Sequence, residues 1–175
     1  SRDMRFCPVA RTLANEAQDS QSDSTGALAL GGSFLAWSLL SQDMSLSGSY
    51  GRNSGLTSSR IGWATGQTWR TSDILGQDRV PVMLDSIWLL TGPGDDGADD
   101  PPPECEPIPT ATDQWTWQSC INRHDGGVNG LFFDWSVRKV GLKELWTLQW
   151  HSGYDTAGPW TKAGGVVAGM PLERP

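Results

Sequence analysis

"RHDGGVNGLFFDWSVRKVGLKELWTLQWH", residues 123–151, decides how this chain is read. Two β-rich runs, "VNGLFF" at 128–133 and "SVRKV" at 136–140, flank Asp134-Trp135. Such runs around a short break predict a β-hairpin. The period then changes. Leu142, Leu145, Trp146 and Gln149 recur at helical spacing, so 142–150 predicts a helix of about two turns. Nine residues separate His124 from Asp134.

A His and an Asp in one segment raise the question of joint chemistry. A catalytic pair needs contact near ~3 Å. With Asp134 at the hairpin tip and His124 near its open end, a rise of about 3.3 Å per residue puts the two roughly 20–30 Å apart. The pair therefore reads as structural. His124 pins the start of the strand by hydrogen bonding, and Asp134 makes the turn through its side chain. Trp135 falls where a two-residue turn needs positive φ, which a bulky side chain resists. The turn is expected to open into a three- or four-residue loop, or to lean Trp135 back onto the sheet.

Upstream, "GGSFLAWSLL" at 31–40 and "GSYGRNSG" at 48–55 predict strands, and "RVPVMLDSIW" at 79–88 predicts a buried one. Pro81 places that strand at a sheet edge or marks a strand start. "FCPVARTLANEA" at 6–17 predicts a short helix with Pro8 in its first turn, a surface turn being the plainer alternative. Residues 18–27 read as a loop, 60–69 resist assignment, and 152–175 read as irregular. Residues 95–109 form an acidic, Pro-rich loop within one domain, 1–175, because strand-like pattern resumes after it. The expected fold class is α+β: an antiparallel sheet with few short helices and long loops.

Composition supports this. The chain of 175 residues holds 21 Gly and 11 Pro, which favours a loop-rich β protein over a helical bundle. A net charge of −7 and scattered bases argue against nucleic acid as a partner. No apolar run is long enough to span a membrane. The loop acids Asp95, Asp96, Asp99 and Asp100 are read as solvated, with calcium as the alternative; no other cofactor is expected. Asp85, Asp125 and Asp155 show no ligand pattern. No G-x-S-x-G elbow or phosphate-binding loop is present. Cys120, four residues before His124, supplies a weak Cys/His hydrolase reading. Ten tryptophans fill a core and a subunit interface, or stack on sugar rings in a carbohydrate-binding module.

The segment 123–151 resembles the C-terminal signature of bacterial prepilin-type proteins, similar to type II secretion pseudopilins and named for a His, nine residues and Asp-Gly. "FCP" at 6–8, "GSYGRN" at 48–53 and "VPVMLD" at 80–85 resemble earlier pieces of that family in the same order. "KVGLKELWTLQWH" and "GPWTKAGG" resemble its planctomycete-type variant. Trp135 departs from the family glycine. The resemblance implies a pilin-like globular head, exported to the cell surface or beyond, that packs with other pilin-like subunits or an assembly partner. It is a structural role, not an enzyme. The family's leader and long apolar N-terminal helix are absent here, so we read the chain as a processed or truncated form whose sheet keeps an exposed apolar face. Export implies one disulfide with Cys120 as a member. The resemblance favours Cys7–Cys120 over Cys105–Cys120.

Overall fold

The computed structural model describes residues 5–14, 28–40, 45–56, 69, 73–93, 116–158, 161–162 and 165–166. Its strands are β1 (Thr12–Leu13), β2 (Leu28–Ala29), β3 (Leu35–Leu40), β4 (Ser45–Gly48), β5 (Tyr50–Asn53), β6 (Pro81–Asp85), β7 (Leu90–Thr91), β8 (Gly127–Phe132), β9 (Val137–Gly141), β10 (Thr161–Lys162) and β11 (Gly165–Val166). With a few short 3-10 helices, they make a mixed α+β fold dominated by strands. No described helix is long and apolar enough to cross a membrane.

The main sheet has the order β7-β5-β6-β8-β9. Its pairs are antiparallel except β5–β7, which is parallel. A smaller sheet centres on β3, which pairs with β1, β2 and β4. Residues opposite one another across a ladder share a face. One row, Gly51–Leu84–Gly130–Arg138, lies on the core side. The next row, Leu90–Arg52–Met83–Leu131–Val137, crosses all five strands on the opposite side. Every member of that second row is at least partly exposed.

The core lies against the first face. Leu84, Val128, Phe132 and Val140 of the sheet meet Leu145, Trp146, Leu148 and Trp150, all buried. Each such side chain contributes roughly 1.5–3 kcal/mol through burial. Gly130 leaves room for this packing, since a Cβ there would stand 2.7 Å from Leu84 Cδ2 and force that side chain to shift. Asn53 closes the far edge of the core. Its Nδ2 donates to Pro81 O at 2.8 Å and Trp150 O at 2.9 Å, and its Oδ1 accepts from Gly55 N at 2.8 Å.

Several expectations need correction. Residues 8–9 form a turn, closed by Ala10 N donating to Cys7 O at 3.0 Å, and Thr12–Leu13 become a strand parallel to β3; no helix spans the described part of 6–17. Pro81 starts β6, which meets the strand-start alternative; the strand is central and not an edge, and the register shifts between Pro81 and Met83. The helix after the hairpin is 3-10 and ends at Thr147. It makes about two turns, as expected, before the chain becomes extended at Leu148, and Gln149 N then donates to Arg79 O at 2.9 Å. Glu144 accepts Gly141 N–H and pairs with Arg138. The tail carries a small antiparallel pair, β10–β11.

The hairpin turns as a three-residue loop. Phe132 N donates to Ser136 O and Trp135 N donates to Phe132 O, both at 2.9 Å. Trp135 takes φ +67 and is 80% exposed, so its indole does not lean on the sheet. This left-handed position is the one glycine fills in three-residue hairpin loops. Trp135→Gly is therefore expected to stabilise the fold by roughly 0.5–1 kcal/mol, the relief of αL strain less the entropy glycine adds to the unfolded chain. A urea melt checks it: the midpoint should rise while the slope stays unchanged.

Candidate functional site

The charged centre lies where the two sheets meet, on the side of the main sheet away from the core. Asp85 ends β6, Arg123 and His124 lead into β8, and Cys7 comes from the N-terminal turn. Register carries Asp85 to the same side as Met83, two residues away. The side chains of Arg123 and Asp85 are both 0% exposed.

Arg123 holds this junction. Its Nε donates to Ser33 O at 3.1 Å, and Nη2 donates to Gly32 O at 2.6 Å. Nη1 donates to Ser49 O and, at 3.1 Å, to Asp85 Oδ1. Longer contacts run from Nη2 to Ser86 O at 3.4 Å and Leu35 O at 3.5 Å. The carbonyls lie just before β3, between β4 and β5, and just after β6, where ladder pairing runs out. A planar guanidinium satisfies them together because its donors are fixed in a fork. Asp85 is satisfied in turn, its Oδ2 accepting Asn129 N–H at 2.7 Å.

His124 completes the group. Its Nε2 lies 3.1 Å from Asp85 Oδ2 and 3.2 Å from Cys7 Sγ. The combination of thiol, imidazole and carboxylate invites a nucleophilic reading, which the geometry opposes. A nucleophile–base–acid relay uses the two ring nitrogens separately. Here one nitrogen faces both partners. Cys7 is also 1% exposed. Burial pushes its thiol up from the ordinary range, and the charge of Asp85 adds to this, while backbone hydrogen bonds at Val9 and Ala10 and the charge of Arg123 act against it. A buried thiol held in that way is a poor nucleophile.

Asp134 stands apart, past the other end of β8 from His124. Its Oδ1 accepts Ser136 N–H at 2.9 Å and Ser136 Oγ–H at 2.6 Å. These hydrogen bonds hold its carboxyl below the usual range. His124 and Asp134 thus serve opposite ends of one strand. Cys7 and Cys120 are both buried and are not joined to each other, which corrects the expected Cys7–Cys120 bond. Cys7 turns to His124, and Cys120 packs in the core beside Ile121. Cys105 and the acids Asp95, Asp96, Asp99 and Asp100 lie outside the described residues. The Cys/His contact is made by Cys7, not by Cys120.

Sequence reasoning had no local signal for Cys7 or Asp85. They come from segments 117 and 38 or so positions away from the Arg-His pair, in "FCP" and "VPVMLD". In the sequence Cys7 stands out only as a disulfide candidate, and Asp85 only as an acid without ligand pattern at the end of a predicted strand. Comparison with family models, with curated proteins and with solved structures finds no match.

Two outcomes are expected. Arg123→Met removes the guanidinium from the buried pair, leaving Asp85 only its Oδ2 contacts with Asn129 N–H and His124, and should cost about 3–5 kcal/mol. Urea unfolding should show it, with Arg123→Lys intermediate because an ammonium cannot span the same carbonyls. His151 provides the pH test. Burial holds its pKa below the ordinary 6.5. Between that depressed value and about 6.5 the unfolded chain binds a proton that the folded chain does not, so stability falls as pH drops through this window. His151→Gln should remove that part of the slope in melts run across the window.

Proposed function

We propose that this chain is a structural subunit of an extracellular pilin-like or pseudopilin-like assembly, its sheet serving as a packing face for another subunit. The observation that supports this is the row across the open side of the main sheet. Met83 is 39% exposed and Val137 72%, with Leu131 between them in register. Contiguous apolar area of this kind marks a surface that another chain covers. The row continues past Met83 into a groove of about 250 Å³ lined by Arg5, Trp37, Leu46, Tyr50 and Leu89. The polar centre, in contrast, turns its donors inward to hold the fold.

The alternative, a carbohydrate-binding module, needs a platform of exposed indoles. Among the described tryptophans only Trp135 is exposed; Trp37, Trp146 and Trp150 are buried. That distribution favours packing over sugar stacking.

Sedimentation velocity tests the proposal. The wild-type chain should self-associate or pair with an assembly partner, and the double change Met83→Lys, Val137→Lys should lower association at least ~10-fold, since charge on a desolvated apolar patch is costly. A wild-type chain that stays monomeric at high concentration and binds no pilin-like partner overturns the reading. Quenching of tryptophan fluorescence by oligosaccharides, lost in Trp135→Ala, would support the alternative.

A further inference from the structure

The contacts around His124 Nε2 are one too many for a single ring N–H. That hydrogen can point along one straight bond, to Asp85 Oδ2 at 3.1 Å or toward Cys7 Sγ at 3.2 Å, but not both. Three groups of different chemistry, Cys7 Sγ, His124 Nε2 and an Asp85 carboxylate oxygen, all lie within 4.8 Å of one another. They come from three separate segments of the chain. A positive ion in place of the shared proton would satisfy all three at once.

We propose that Cys7, Asp85 and His124 form a binding site for a thiophilic divalent cation, zinc, which fastens the N-terminal turn to the junction of the two sheets. The donor set selects the metal. Thiolate with imidazole suits zinc, whereas calcium and magnesium take oxygen ligands. Zinc binds sulfur at about 2.3 Å and nitrogen or oxygen at about 2.0–2.2 Å, so a tetrahedral site needs ligand atoms roughly 3.4–3.6 Å apart. The observed 3.1 and 3.2 Å separations need to widen by a few tenths of an ångström, and the third pair, Cys7 Sγ and the Asp85 oxygen, lies within 4.8 Å.

The surroundings are those of a supported ligand set. Ligating carboxylates are themselves hydrogen-bonded in such centres. Asp85 is held on Oδ1 by Arg123 and on Oδ2 by Asn129 N–H. The His124 side chain is 21% exposed, which leaves an open side for ion access and for a water as the fourth ligand. Binding releases the Cys7 S–H proton to solvent and leaves the imidazole neutral, with its proton on Nδ1.

The test uses the full chain, stripped of metal with a chelator. Titration with cobalt(II) should reach one equivalent and give the near-ultraviolet charge-transfer absorption of a thiolate–cobalt bond. One equivalent of zinc should displace the cobalt and raise the melting temperature, because a ligand of the folded state alone stabilises it. Cys7→Ser should lose the absorption and weaken zinc binding by ~100-fold or more, with far-ultraviolet circular dichroism unchanged. Should Cys7→Ser fail to fold, the wild-type chain still decides the matter. Zinc should protect Cys7 from alkylation, as mapped by peptide mass. Absence of stoichiometric binding, a thiolate band that survives in folded Cys7→Ser, or unprotected Cys7 in the presence of zinc would each overturn the proposal. None of these readouts depends on assembly, so this site and the packing face succeed or fail separately.

Discussion

A single buried cation holds two sheets together. The Arg123 guanidinium reaches the carbonyls of Gly32, Ser33 and Ser49 and the carboxylate of Asp85, and its side chain has no exposure to solvent. Removing a charge from water costs several kcal/mol, which only dense, well-aligned bonding offsets. The carbonyls concerned sit at strand ends, where the backbone has left one ladder and not yet joined another. Ser49 O also accepts Ser86 N–H at 2.9 Å, and Arg123 adds donors there and at Gly32 and Ser33. The side chain thus substitutes for a missing strand at the junction. The position of Asp85, the lead into β8 and the seat of the N-terminal turn all depend on it.

What the sequence made legible was local. The hairpin 128–140 could be read because both its strands and its turn lie in one short segment, β3 and β6 could be read from their β-formers, and β5 from the glycines that bound it. What could not be read was set by distant pairing. Leu142 and Leu145 are three apart, a spacing that α and 3-10 helices share, and the segment takes the 3-10 form. Thr12–Leu13 became a strand because β3 offers a free edge, not because of their own propensity. Cys120 drew notice as a partner for His124 by closeness along the chain, yet the fold brings Cys7 instead. Spatial neighbours recruited across more than a hundred positions leave no periodic trace.

The side of the main sheet away from the core does two different things along its length. Near the β6 C-terminus it is covered by the small sheet and the N-terminal turn, and there the polar groups converge. Near the β6 N-terminus it is bare, and there Met83, Leu131 and Val137 line up. Such a division lets one strand anchor the interior of the subunit and also present a surface.

The register shift between Pro81 and Met83 decides which residues go where. Pro81 is opposite Phe132, and Leu84 is opposite Gly130, so three steps on one strand match two on the other. Were every residue from Pro81 onward paired without the bulge, side chains beyond it would swap sides: Met83 and Asp85 would turn toward Trp146 and Trp150, and Leu84 would turn away. The strand thus encodes its meaning in phase as much as in composition. Exchange of one aliphatic residue for another along it is a small perturbation. Loss of Val82, the extra residue, would only restore an unbroken ladder, whereas loss of Leu84 is a frame error in three dimensions that sends the Asp85 carboxylate into oil and leaves Arg123 without its counter-charge.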